Sequence, residues 1–418
     1  MAFWGRLDNR GDLIQSLALD KVQASRMADS QLVLLGWQKW QANLPEHLLG
    51  DFALAVIDSP KRLAFLARDP LGAIPLYYHA TSRYFVFATS LALLHTLKIP
   101  PLVVNTDWVA LCLVETAKDN SATAYANVYK VPPGHLLLVN GPDSVKPQPW
   151  FAWKDNPPPA RQRDTRWVAA YREILEESIR CRLNSLYPLA TTNSGGLDSA
   201  TITAFAARLL DDSANRLHTF GLAMYQQEPA LILATSMHYQ LRNNYVVASH
   251  PEYDDSLVDR YIKIAGYPPL TVSSTFYFSP FLQECQLRGV RTLLCGFGGD
   301  NAVTNPGHLL TLELLDTGNF RALWEILPGN LLTRSLRLLR RIRDGAKQPK
   351  FNHNFLAVWN RRWPHQLVRQ EVVPNLNLET LYYDRARYDA PYRRINDYIL
   401  KNRISASVTA RLEESTLM

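Results

Sequence analysis

The chain has 418 residues, 47% of them apolar, and a formal charge of +7; that is enough to bury cores for two or three domains. No stretch is apolar for long enough to span a bilayer, and the opening MAFWGRLDNRGD is too polar and acidic for a signal peptide, so a cytoplasmic protein with no membrane partner is expected. Cys112, Cys181, Cys285 and Cys295 are scattered without metal-ligand spacing, and no HExxH or CxxC pair occurs, which leaves zinc chemistry without support and predicts reduced thiols packed as small apolar groups.

Residues 1–150 read as mostly β after a short helical opening. Ser30–Trp40 has helical spacing at Leu32, Leu35 and Trp40. Alternating runs at 51–58, 62–67 and 83–88, broken by Ser59-Pro60-Lys61 and Pro70-Leu71-Gly72, predict strands joined by turns. Val131-Pro132-Pro133-Gly134-His135 introduces a further strand, Leu136–Val139. The polar, proline-rich stretch Lys154–Arg163 predicts an extended linker, placed at 151–166, between a domain at 1–150 and a second at 167–418.

Beyond Trp167 the pattern changes. Helix (167–183), strand (189–193), helix (200–210), strand (217–222), helix (229–241), strand (244–248), helices (254–265 and 279–288) and strand (291–295) follow in turn. Strands alternating with helices predict a parallel, doubly wound α/β sheet, in which ligands sit beyond the carboxyl ends of the strands. The basic run Arg334–Arg343 predicts an amphipathic helix with its arginines in water. A contact surface for a nucleic acid or an acidic peptide is the functional alternative; no nucleic-acid-binding signature accompanies the run, and none is expected as a partner.

Two turns carry chemistry. Ser194-Gly195-Gly196-Leu197-Asp198-Ser199 joins a strand to a helix, where glycines admit a ligand close to the backbone and first-turn N–H groups face an anion. A carboxylate there opposes phosphate unless Asp198 holds Mg²⁺ that bridges to it. The string is similar to the PP-loop of enzymes that attack the α-phosphate of ATP, and is not a Walker A loop, since no lysine follows the glycines. Cys295-Gly296-Phe297-Gly298-Gly299-Asp300-Asn301 lies at another strand end, so the two turns are expected to face one ligand from two sides.

Taken together, these features resemble the asparagine synthetase family, including the ring-closing β-lactam synthetases and lasso-peptide macrolactam synthetases. Gly50–Ala55, Ala67–Tyr78 and Val131–His135 resemble its glutaminase-type Ntn domain, and Thr219-Phe220-Gly221-Leu222 its adenine-binding strand. The resemblance implies ATP contacts at Asn193, Ser194, Gly195, Gly196, Leu197, Asp198, Ser199, Leu222, Cys295 and Gly296, and pyrophosphate contacts at Gly298, Gly299 and Asp300. It implies that Asp198 and Asp300 hold Mg²⁺ and act as the catalytic pair. Three departures accompany it. The chain opens Met1-Ala2-Phe3 without the family's N-terminal cysteine nucleophile, and Gly5–Arg10 resembles a stretch well inside that first domain, which implies a truncated domain without glutamine hydrolysis. Phe297 stands where asparagine-forming members carry glutamate, and Asn301 where an acid is usual; a CGxGGD turn looks more like the lasso cyclases. Ser407–Met418 resembles the helix before a C-terminal segment with a catalytic lysine, so the chain is expected to be shortened there too.

The chemistry implied is adenylation of a carboxylate with loss of pyrophosphate, then attack by an amine. Without glutaminase the amine is free ammonia or one within the substrate, and an intramolecular amine gains effective molarity. The expected activity is therefore lasso-type macrolactam formation in a precursor peptide, with a leader-processing protease as a second partner. Ammonia-dependent asparagine synthesis, an inactive nucleotide-binding pseudoenzyme and a tRNA-modifying PP-loop enzyme are the alternatives. Glu228 is a candidate for positioning substrate or a solvated helix-start residue, and Tyr239, Tyr245, Tyr261 and Tyr277 are candidates for orienting the amine or for packing.

Overall fold

The computed structural model describes residues 1–97, 103–113, 121–141, 144–152, 165–223, 228–248, 255–268, 281–299, 304, 314–315 and 318–347. The proposed linker at 154–163, Tyr277, Asp300, Asn301 and the stretch 407–418 lie outside them. The chain divides into two compact units: one comprises Met1–Leu102 and Tyr129–Gly299, the other Val103–Val128 and the described residues after Gly299.

The first half runs β1 (Ala2–Leu7), α1 (Arg10–Ser16), α2 (Lys21–Ser25), α3 (Asp29–Trp40), β2 (Gly50–Asp58), β3 (Leu63–Arg68), β4 (Tyr77–Ala80), β5 (Phe85–Ala88), α4 (Leu91–Thr96), α5 (Thr106–Leu113), β6 (Tyr129–Lys130), β7 (His135–Val139) and β8 (Gln148–Pro149). The expected helical opening is present, with Ser30–Trp40 in α3, but a strand precedes it. β1 pairs antiparallel with β2, from Ala2↔Ala55 to Leu7↔Gly50. Gly5 makes this possible: at φ +148° an added Cβ would collide with the Asp51 carbonyl. The strand signal is weak in sequence because β1 is an edge strand with Trp4 largely exposed, so its apolar residues do not alternate cleanly.

Two antiparallel sheets form, in the orders β1-β2-β3-β7-β8 and β5-β4-β6. Side-chain alternation along β2 sorts the core. Phe52, Leu54 and Val56 join Leu32, Val33 and Trp37 of α3 on one face, while Ala53 and Ala55 meet Ile74, Leu76 and Tyr78 on the other. The segment after β3 is knotted by two buried charges. Arg68, fully buried, donates to the carbonyls of Ile74 (2.7 Å), Val131 (3.0 Å) and Gly72 (2.6 Å). Asp69 accepts from the N–H groups of Leu71 (2.9 Å) and Ala73 (3.1 Å). These bonds satisfy backbone groups that a buried loop would otherwise leave orphaned.

The second half runs α6 (Thr165–Arg180), a 3₁₀ turn (Cys181–Leu183), β9 (Leu189–Thr192), α7 (Leu197–Leu209), α8 (Ser213–Arg216), β10 (Leu217–Ala223), α9 (Glu228–His238), β11 (Asn243–Ala248), α10 (Asp255–Ala265), a helical stretch at 281–287 and β12 (Thr292–Leu294). The sheet is parallel throughout, in the order β11-β10-β9-β12. Both faces are covered, as the alternation of helices and strands predicts. Leu189 and Leu217 pack with Ile179 of α6 and Ala206 of α7, and Ala190 and Phe220 pack with Phe281 and Cys285 on the opposite face.

The basic run falls in the helix Leu331–Lys347. Its apolar side is less covered than an amphipathic pattern implies: Leu338 packs on a small cluster with Leu323 and Leu327, whereas Leu332, Leu336 and Leu339 are exposed.

Candidate functional site

The strand order locates the site. The chain lays β9, β10 and β11 outward in one direction, then returns to place β12 on the other side of β9. The winding therefore reverses between β9 and β12, and the crevice beyond their carboxyl ends is where open α/β sheets take ligands. The turn after β9 is 193–196 and the turn after β12 is 295–299.

The first turn is held from within. Asn193, fully buried, donates its side-chain amide to the Ile232 carbonyl (2.8 Å), and its backbone N–H reaches the Phe220 carbonyl (2.8 Å). The hydroxyls of Ser194 and Ser199 lie 2.9 Å apart, and the Ser194 N–H donates to the Ser199 hydroxyl (3.1 Å). Gly195 has φ +77°, and a Cβ on it would come within 2.6 Å of the Leu231 Cβ. Helix α7 begins at Leu197, three residues before the sequence pattern predicts, so Asp198 and Ser199 sit in its first turn. Gly196 is the N-cap and supplies no side-chain cap, which leaves the positive end of the helix dipole open to an outside anion. Leu197 points outward and is 72% exposed.

The second turn closes against the first. A Cβ on Gly296 would lie 2.6 Å from the Ser199 nitrogen, and one on Gly299 would overlap the Asp198 carboxylate. Gly299 also donates its N–H to the Gly296 carbonyl (3.2 Å), curling the turn over that carboxylate. Gly298, at φ +93°, has open space around it. Cys295 is in no disulfide and is exposed, unlike the packed thiol expected of it. Asp198, Ser199, Gly296 and Gly299 are therefore brought together. Asp300 follows Gly299 directly but lies outside the described residues, as does the Leu222 side chain; the Leu222 backbone pairs with Val247, one residue before the carboxyl end of β10.

The cradle suits phosphate, with bare glycines, hydroxyls and a helix N-terminus at one place. Among the described residues no three metal-ligating side chains cluster. The Asp198 carboxylate beside this cradle is a donor of the kind Mg²⁺ takes, since that ion binds one or two carboxylates and shares the rest of its shell with phosphates and water.

Of the tyrosines, Tyr261 is buried with its hydroxyl on that of Tyr267 (3.3 Å), and Tyr239 packs in the α6–α7 core. Tyr245 stacks on Phe220 (5.1 Å between centroids) beneath the Arg288 guanidinium (3.9 Å). All three serve packing. Glu228 opens α9, with its side chain outside the described residues. Sequence reasoning missed the supports of the loop. Gly221 is one: a Cβ there would meet the Asn193 carbonyl at 2.7 Å and the Ile232 side chain at 2.5 Å. A glycine inside a strand is the signal that marks such a close approach.

The sequence model of the glutamine amidotransferase domain matches residues 1–151, and that of asparagine synthase matches residues 170–401. The chain is 29% identical over 220 residues to asparagine synthetase [glutamine-hydrolyzing] 3 of Bacillus subtilis (strain 168), covering 52% of this chain and 35% of that protein. It is 26% identical over 304 residues to asparagine synthetase B [glutamine-hydrolyzing] of Escherichia coli (strain K12), covering 67% and 48%. It is also 27% identical over 188 residues to the amidase chry2 of Gibberella zeae, covering 44% and 27%. The chain thus spans half or less of the length of these three relatives. The match over residues 170–401, more than half of the chain and inclusive of both glycine turns, shows that this chain belongs to the asparagine synthase family.

Proposed function

We propose that the chain is an ATP-dependent carbon–nitrogen ligase that adenylates a carboxylate and transfers the acyl group to an amine. The observation that carries this is the closure of the 295–299 turn on Asp198 at the first turn of α7. A carboxylate is a poor acyl donor because its leaving group would be oxide. Attack of its oxygen on the α-phosphorus of ATP breaks the bond to pyrophosphate and leaves an acyl-adenylate, from which an amine then displaces AMP. The α7 N-terminus and the N–H groups of the two glycine turns are placed to stabilise the charge that grows on the departing pyrophosphate. Asp198, with Asp300 as its partner from the second turn, would hold Mg²⁺, which neutralises that charge when bound. The pairing of those two carboxylates rests on the sequence resemblance and on the adjacency of Gly299 to Asp198.

Phe297, in the middle of the second turn, favours lasso-type macrolactam formation over asparagine synthesis, because a phenyl ring neither accepts a proton nor orients ammonia. In that reading the substrate is a precursor peptide whose N-terminal amine attacks an activated Asp or Glu side chain, with a protease exposing the amine. The names of the B. subtilis and E. coli relatives, both asparagine synthetases, favour asparagine formation, which without glutaminase would draw on free ammonia. Product mass separates the two: a peptide lighter by one water supports cyclisation, and free asparagine supports the second reading. The ligase itself is tested by ATP–pyrophosphate exchange. Asp198→Ala should abolish exchange with an unchanged circular dichroism spectrum, and exchange at the wild-type rate in that variant refutes the assignment.

A further inference from the structure

The carboxylate of Asp8, which follows β1 directly, has only 3% of its side chain exposed and is gripped by two guanidiniums. Arg6 Nε lies 2.9 Å from Oδ1 and Arg182 Nη2 lies 3.0 Å from Oδ2. The two arginines belong to different halves of the chain. Arg6 is in β1 and also pairs with Asp51 of β2 (3.1 Å). Arg182 is in the 3₁₀ turn that ends α6, where its Nη1 donates to the Ser178 carbonyl (2.8 Å). The next residue, Leu183, packs in the core with Leu189 at the start of β9, the strand whose end carries the Ser194–Ser199 loop. A second contact between the two halves of the chain lies elsewhere, between the start of α4 and the end of α10: the Ser90 hydroxyl donates to the Ile264 carbonyl (3.0 Å), and Gly266, at φ +86°, is so close that a Cβ would stand 2.6 Å from the Ala92 nitrogen.

We propose that Asp8 is a positioning residue for the nucleotide loop, and that the amino-terminal sheet serves as a brace that fixes the entry to β9. This gives the amino-terminal region a task that needs no glutamine chemistry. The physical basis is the loss of a buried carboxylate that holds two partly exposed guanidiniums (27% and 32%) together: without its charge nothing draws Arg182 toward β1. Arg182 is tied to the end of α6 by its bond to the Ser178 carbonyl, so a displaced guanidinium pulls on the 3₁₀ turn and, through Leu183, on the lead into β9. The contact at Ser90 and Gly266 keeps the two halves of the chain together when the first is cut, so loosening should be local.

The inference rests on reading the loop as a nucleotide site, and the test separates the two. Hydrogen exchange is followed by mass spectrometry on the free full-length chain, together with MgATP affinity by calorimetry. In Asp8→Asn, amides at 181–199 should exchange about tenfold faster and MgATP should bind several-fold more weakly. Arg182→Gln should do the same from the other side, and Arg182→Lys, which keeps the charge, should restore both. Faster exchange confined to β1 and β2, with 181–199 unchanged, overturns the proposal. Loosening at 181–199 with no MgATP binding even in the wild type upholds the brace and refutes the nucleotide reading.

Discussion

Gly299 decides how the second turn meets the first, because it has no room for a side chain against the Asp198 carboxylate. Gly299→Ala is therefore expected to lower ATP–pyrophosphate exchange at least tenfold, about 1.4 kcal/mol, with little loss of stability, since the turn can swing outward. Asp69 shows a different residue-scale constraint. Burial pushes its pKa from 3.8 up to about 6, against the Arg68 guanidinium and the N–H groups of Ala73 and Ile74, which pull it down. The folded state then holds a proton more tightly than the unfolded one. Its contribution to stability is greatest below pH 4, falls as the pH rises from about 4 to 6, and is flat above. Thermal unfolding across pH 4–7 should show that slope, and Asp69→Asn should remove it. The sequence offered Gly299 as a pyrophosphate contact and Asp69 as part of a stretch resembling the Ntn domain, but neither the crowding of the one nor the burial of the other was legible there. Which atoms crowd a Cβ, and how much water a carboxylate loses, are set by residues distant in the chain.

At the scale of elements, α7 is pinned to β9 by a buried bond from the Thr203 hydroxyl to that of Thr191 (2.9 Å). Thr203→Val leaves the Thr191 hydroxyl dry and unpaired, which costs about 1–3 kcal/mol, whereas the double change Thr191→Val with Thr203→Val removes both partners and should recover most of it. Urea denaturation of the four proteins closes the cycle. The helices and strands of this half were legible to within a few residues, because apolar spacing is local. Two features escaped. The start of α7 at Leu197 runs through a glycine-capped turn with no side-chain signal, and the apolar residues of β1 do not alternate cleanly because an edge strand exposes much of its surface. Strand pairing is not local either: nothing in residues 291–295 alone says that β12 returns beside β9.

For the whole molecule, the site reading predicts linkage between ligand and stability. A nucleotide bound at a hundred times its dissociation constant should stabilise the fold by about 2.7 kcal/mol, seen as a rise in melting temperature with MgATP, and Asp198→Ala should abolish the rise without lowering the melting point of the free protein. No helix among the described residues is long and apolar enough to cross a membrane, in keeping with the composition. By itself the sequence determined the two glycine turns, the alternation that makes a parallel sheet, and hence the family. These are matters of local periodicity and of residue types that few backbones tolerate. Only the tertiary structure decided that both turns converge on one carboxylate, that the sheet reverses its winding at β9 and β12, and that Asp8 ties the first sheet to the entry of the second. Each of these depends on contacts between residues far apart in the chain, where burial and electrostatics act and sequence spacing carries no information.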